Sequence, residues 1–176
     1  MESIQLDPQG FVEILTDRKT SLLQKDYFLM RLEEEFKKSW RYGWTYTLIV
    51  FEAPGLGALR ASEGDLAADS LELDIAGEIL SASRDIDLST RCEDGRFMVM
   101  LPGCDSEGAM AFGKRVLQGS LPERLQGRSS LLAGGTVTPQ AGLDQMDELL
   151  ARAETALTHA RSLATDQLVL WNDPSE

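Results

Sequence analysis

Residues 84–101 read RDIDLSTRCEDGRFMVML. Asp87 to Cys92 and Arg96 to Leu101 have the composition of two strands, and Asp94-Gly95 between them is a hairpin signal, because glycine accepts a positive φ at no steric cost. Phe97, Val99 and Leu101 alternate onto one face. Met98 and Met100 imply that the opposite face is covered as well, which calls for helices on both sides of the sheet that holds the hairpin. On this reading Phe97 points into the core, Arg96 faces out, and residue 95 has a positive φ.

Working outward, a helix is expected from about Asp65 to Ser83, with Leu66, Leu73, Ile75, Ile79 and Leu80 as its core stripe. Upstream, TYTLIVF (Thr45–Phe51) is an apolar run suited to a strand buried on both faces, and Ala53-Pro54-Gly55 breaks it. Before it, Phe28, Leu29, Leu32 and Phe36 recur at helical spacing from Lys25 to Arg41, and Gly43 ends that helix. Downstream come a helix over 105–118 with Ala109, Phe112, Val116 and Leu117 inward, and a polar loop over 121–129. A strand over Ser130–Val137 follows, weakened by Gly134-Gly135, then a helix over Asp144–Arg161 and a short strand over Gln167–Trp171. The order α-β-α-β-β-α-β-α-β implies an α/β (α+β) fold: a mixed, mostly antiparallel central sheet flanked by helices. One domain over 17–173 is expected, with residues 1–16 as a leader packed against it.

With 43 % hydrophobic residues in 176, the chain can bury a real core. Its net charge of −12, from 29 acidic and 17 basic residues, opposes nucleic acid and anionic membranes as partners. Any phosphate ligand then needs arginines gathered by the fold. Cys92 and Cys104 match no zinc spacing, and His159 is the single histidine, so no metal site is expected. Two free thiols in a reducing compartment are the simplest reading, with a disulfide as the other. No stretch has the length of a membrane span and the N-terminus lacks a signal-type apolar run, so the chain reads as soluble and cytoplasmic.

The segment RDIDLSTRCEDGRF resembles the signalling hairpin of the GGDEF (diguanylate cyclase) family, a bacterial group with a nucleotide-cyclase-like palm fold. The five residues that would read Gly-Gly-Asp/Glu-Glu-Phe are Glu93-Asp94-Gly95-Arg96-Phe97. Residues 17–28, DRKTSLLQKDYF, resemble the family's opening motif, and residues 147–161, DELLARAETALTHAR, its closing helix. Active members join two GTP molecules and need Mg²⁺ or Mn²⁺, since attack on an α-phosphate requires cations to neutralise the triphosphate. The resemblance places the first metal carboxylate on Glu52, its companion aspartate on Pro54, the hairpin's metal carboxylate on Gly95 and the next acid on Arg96. It places the base-reading asparagine and aspartate on Arg60 and Asp69, the phosphate lysine on Arg161 and a companion arginine on Thr165. The cleft of Glu52, Arg60, Asp69, Gly95 and Arg161 is thus vestigial on this reading, and no catalysis and no cofactor are expected. An enzyme with unusual metal ligands around Glu52 is a third reading.

The family's product-binding Arg-x-x-Asp pair, five residues before the signature, falls on Arg84 and Asp87. Family spacing adds Arg115 from the next helix, and Arg91 is a further candidate for the same corner. Arginine offers a planar fork to phosphate or guanine, and aspartate accepts from guanine N1–H and its amine. A local ion pair at i, i+3 spacing is the plainer account of Arg84 and Asp87. The leading expectation is an inactive GGDEF domain that binds cyclic di-GMP as a receptor and works with a protein partner, a fused signalling domain or a second copy in a homodimer. The alternative is a nucleotide-independent interaction or dimerisation scaffold. His159 reads as a surface residue; Trp40, Trp44 and Trp171 read as boundary packing or as a partner surface.

Overall fold

A computed structural model describes residues 14–93, 95–119, 121–125, 129–140 and 143–172. The elements are α1 (Lys25–Tyr42), β1 (Tyr46–Glu52), α2 (Leu56–Glu63), α3 (Asp65–Ala82), β2 (Leu88–Glu93), β3 (Arg96–Pro102), α4 (Ser106–Gln118), α5 (Leu121–Leu125), β4 (Leu132–Thr138), α6 (Met146–Leu163) and β5 (Leu168–Leu170). They form one sheet in the order β2-β3-β1-β4-β5. All neighbours are antiparallel except β4 and β5. This is the mixed, mostly antiparallel sheet flanked by helices that the sequence implies. Most of the expected leader lies outside the described residues.

β1 sits at the centre and is buried along six of its seven residues, which is why its sequence is continuously apolar. Ile49 and Phe51 join Phe97, Val99, Leu101 and Ala133 against α3 and α4. Leu48 and Val50 join Met98, Met100 and Leu132 against α1 and α6. Phe97 is fully buried, and Gly95 has φ +70°, as the hairpin reading requires. Asp94 lies outside the described residues. β2 carries a bulge between Arg91 and Glu93.

The outer edge of β2 is covered. Leu23 bridges to Thr90, its N–H donates to the Ser89 carbonyl at 2.9 Å, and its own carbonyl accepts from Thr90 Oγ1 at 2.8 Å. At the other edge, β5 is three residues long. Among the described residues no helix is long and apolar enough to cross a membrane.

Three expectations change. The core stripe of α3 is Ala68, Leu71, Ile75, Ala76 and Ile79, whereas Leu66, Leu73 and Leu80 are exposed by 87, 48 and 45 %. The helix is apolar on two faces, and only one can meet the sheet. Residues 56–63, for which the sequence reading gives no element, form α2 directly after the Pro54-Gly55 break. Part of the expected 121–129 loop is α5, and residues 126–128 lie outside the described residues.

β4 forms through the Gly134-Gly135 pair, and Gly134 permits α6 to dock on it. A Cβ on Gly134 would stand 2.0 Å from the Leu157 amide nitrogen and 2.4 Å from its Cα. Backbone cannot retreat as a flexible side chain can. Gly77, inside α3, has open space around its missing Cβ. We expect Gly134→Val to lower unfolding free energy by about 3 kcal/mol or more, and Gly77→Ala to raise it by about 0.5–1 kcal/mol through helix propensity. Urea unfolding of both variants and the parent measures the contrast.

Candidate functional site

The C-terminal end of α3 gathers two arginines. Arg84 donates from Nη2 and Nε to Asp87 Oδ1 at 2.9 and 3.2 Å, and from its backbone N–H to Asp87 Oδ2 at 2.7 Å. Nη2 also donates to the Pro102 carbonyl at 3.0 Å. The Asp87 side chain is only 1 % exposed, while that of Arg84 is 51 % exposed. The Asp87 carboxylate holds the Arg84 guanidinium above its ordinary pKa, chiefly through these hydrogen bonds. Arg84 Nη1 has no hydrogen-bond partner among the described residues. Arg115, from α4, donates through Nη2 to the Ala82 carbonyl at 3.1 Å, and its guanidinium lies 5.6 Å from the Phe112 ring centroid. Arg84, Asp87 and Arg115 therefore share one corner, where a helix C-terminus with its partial negative charge suits cations.

Arg91 is elsewhere. Its Nη2 donates to Asp17 Oδ2 at 3.0 Å and its Nη1 lies 3.9 Å from Glu72. This places it near the hairpin turn, in a second cluster that includes Asp69 and Arg60. There Glu72, on α3, is fully buried. Its Oε1 accepts from the Gly95 N–H at 2.8 Å and its Oε2 pairs with Lys19. Lys19 Nζ also reaches Asp69 Oδ1 at 2.5 Å, and Arg60 Nη1 sits 2.8 Å from Asp65 and 3.5 Å from Asp69. The Lys19 hydrogen bond, ahead of its charge and that of Arg60, keeps the Asp69 carboxyl below the usual carboxylate range.

At the far ends of β1 and β3, Glu52 faces Arg96 across the ladder. Their side chains turn to other partners: Arg161 Nη2 donates to Glu52 at 2.5 Å, and Arg96 Nη2 to Glu154 at 2.5 and 2.6 Å. Arg96 thus points away from the core, as expected of it, though its side chain is only 25 % exposed. Among the described residues no group of three or more His, Cys, Asp or Glu is arranged to hold a metal ion. Both thiols are free, and burial pushes Cys92 up to about 11.

Lys19, Glu72 and Glu154 went unread as site residues. A signal existed for Glu72: it falls on the buried helical face with Ala68, Ile75 and Ile79, where an acid needs a partner. Asp17 shows the balance of forces. Burial tends to raise its pKa, but hydrogen bonds from Thr20 and Arg91 outweigh this and lower it from the ordinary 3.8. Its stabilisation is therefore fully present above the ordinary value and disappears as pH falls through the lower folded one. Asp17→Asn should cost about 1–2 kcal/mol near neutrality. The gap to the parent should narrow as pH drops below about 4; urea midpoints measured across this range would show a constant gap if the pairing were inert.

The fold and these positions can be set beside known proteins. The profile described as "Diguanylate cyclase, GGDEF domain" matches residues 14–167. Diguanylate cyclase DgcP of Pseudomonas aeruginosa is 27 % identical over 157 residues, covering 88 % of this chain and 23 % of that protein. This chain thus spans under a quarter of that curated relative. Diguanylate cyclase SiaD of the same organism, solved with its activator SiaC, superposes with a TM-score of 0.73 at 22 % identity, over 92 % of this chain and 64 % of that one. The coiled coil and GGDEF domain of DgcB from Caulobacter crescentus, solved with c-di-GMP, gives a TM-score of 0.80 at 15 % identity, over 92 % of this chain and 88 % of that one. At such identities the two structures bear on the fold alone. The profile match covers most of the sequence, and the chain belongs to the GGDEF domain family.

Proposed function

We propose that this chain is a GGDEF domain that has lost cyclase chemistry and serves as a cyclic di-GMP receptor through Arg84, Asp87 and Arg115. The observation that carries the reading is the pairing at the α3 corner. Asp87, itself nearly inaccessible, fixes one edge of the Arg84 fork and leaves Nη1 and half of the side chain for a ligand. Arg115 adds a second cation against the same helix end. A doubly anionic dinucleotide can bind a chain of net charge −12 only where positive charge is focused, and arginine–phosphate bonds supply that focus. DgcB, of the same fold, has been solved with this nucleotide.

The old cleft favours the loss of turnover. The residues do not fit a divalent cation: Glu52 is taken by Arg161, Gly95 offers no side chain, and Arg96 brings a positive charge beside the gap. A carboxylate cannot simply be put back. Residue 95 has φ +70°, and a Cβ there would stand 3.0 Å from the Ala53 carbonyl oxygen. The second reading, a nucleotide-independent scaffold, draws on Leu66, Leu73 and Leu80, which leave an apolar stripe on the outer face of α3.

Incubation with GTP and Mg²⁺ or Mn²⁺ is expected to yield no cyclic di-GMP above a blank, and Gly95→Glu is expected not to restore it. Product that disappears in Glu52→Ala would overturn the inactive reading. Calorimetric titration with cyclic di-GMP is expected to show binding that weakens with salt. Arg84→Ala should cost about 2–4 kcal/mol of binding, and Asp69→Ala should change little. Absence of heat with a folded parent would favour the scaffold.

A further inference from the structure

Beside the arginine corner the surface opens into a cavity of about 790 Å³, walled in part by Arg31, Glu35, Trp44, Asp85, Ile86 and Pro102. That volume falls within the roughly 300–1,000 Å³ typical of small-molecule sites. We propose that this cavity receives one guanine base of the cyclic dinucleotide, with Trp44 as its stacking platform and Asp85 as the acceptor that distinguishes guanine from adenine. The inference rests on the reading of Arg84 and Asp87 as the ligand site and extends it to residues outside that pair.

The cavity and the arginine pair are joined through the chain. Asp85 and Ile86 are the two residues between Arg84 and Asp87. The Pro102 carbonyl, on the cavity wall, accepts from Arg84 Nη2 at 3.0 Å. The next residue, Gly103, donates its N–H to the Thr45 carbonyl at 2.8 Å, which fixes the chain beside Trp44 at this wall. Arg84 is thus one hydrogen bond from the cavity wall, and its neighbour Asp85 is part of that wall.

The lining suits a purine. Trp44 and Ile86, on two different loops, are 57 and 58 % exposed and meet at one cavity. Trp44 lies against Tyr42, with ring centroids 5.8 Å apart, a contact that favours this orientation of the indole. Every base offers a π-face to such a platform, so stacking alone gives affinity without choice. Choice comes from the edge. Guanine presents N1–H and an amine as donors, which an aspartate accepts; adenine presents a lone pair at N1, which faces a carboxylate unfavourably. Asp85 is exposed, whereas Glu35 already accepts from Lys38 at 2.6 Å. Arg31 lies on the same wall, where its guanidinium already pairs with Glu34 at 3.1 Å and donates from Nη1 to the Tyr27 hydroxyl at 3.3 Å.

The test is calorimetric titration of the 176-residue chain with cyclic di-GMP and with cyclic di-AMP, using the parent, Trp44→Ala, Trp44→Phe, Asp85→Asn and Arg84→Ala. Trp44→Ala is expected to weaken cyclic di-GMP by on the order of tenfold, and Trp44→Phe to keep affinity within about threefold of the parent, because an aromatic face remains. Asp85→Asn is expected to reduce the preference for cyclic di-GMP over cyclic di-AMP. If Trp44→Ala binds like the parent while Arg84→Ala is weak, the base lies elsewhere and only the arginine site stands. If Trp44→Ala is weak and Arg84→Ala is not, the cavity stands and the arginine reading falls. No binding by the parent overturns both.

Discussion

A carboxylate without solvent contact organises the hairpin end of this molecule. Removing an ion from water costs several kcal/mol even after relaxation, and the cost is offset only when its oxygens find charged or hydrogen-bonding partners. Glu72 finds them in three segments that are remote in sequence: the Gly95 amide of the hairpin, the Lys19 ammonium of the N-terminal loop, and the Arg91 guanidinium of β2 at longer range. The positive φ of Gly95 aims the amide; its carbonyl in turn accepts from the Ala53 N–H at 2.8 Å. The signature turn is therefore held from both sides by the protein's own groups. Asp17, which caps the Thr20 turn and pairs with Arg91, ties the N-terminal loop into the same set.

The same pairing of carboxylates with the protein's own cations runs through the cleft at the ends of β1 and β3. Glu52, Asp69 and Glu154 each face a basic side chain from another element. Partly exposed pairs of this kind contribute little stability one by one, about 0–1 kcal/mol. Their effect is on occupancy. A carboxylate already engaged by a basic side chain has less to offer a metal ion. In the reading proposed above the domain keeps the architecture of a cyclase and moves its nucleotide chemistry to the opposite end of α3.

Much of the fold was legible because its signals are local. The unbroken apolar run of β1, the Asp94-Gly95 turn and the alternation from Phe97 to Leu101 each need only a few neighbouring residues to read. α3 shows where this ends. Leu66, Leu73 and Leu80 repeat every seven residues and outweigh Ala68 and Ala76 in size, so they read as core together with Ile75 and Ile79, and only the two isoleucines of that stripe are buried. Which face meets a sheet depends on strands far along the chain. The site divides in the same way. Arg84 and Asp87 are three residues apart and could be paired from sequence. Lys19 and Glu72 are separated by 53 residues, and Arg161 and Glu52 by 109. Arg91 reads as a candidate for the Arg84 corner from an adjacent element, but an extended strand advances about 3.3 Å per residue and carries it toward the hairpin turn.

The covered edge of β2 bears on how copies of this domain can meet. An open strand edge invites another chain to extend the sheet through backbone hydrogen bonds, a contact with little regard for side-chain identity. Here Leu23 occupies part of that edge, and the opposite edge offers only the three residues of β5. Strand addition is thereby disfavoured relative to contacts through side-chain surfaces. Such contacts can be made, tuned or abolished one substitution at a time, which strand addition does not readily allow.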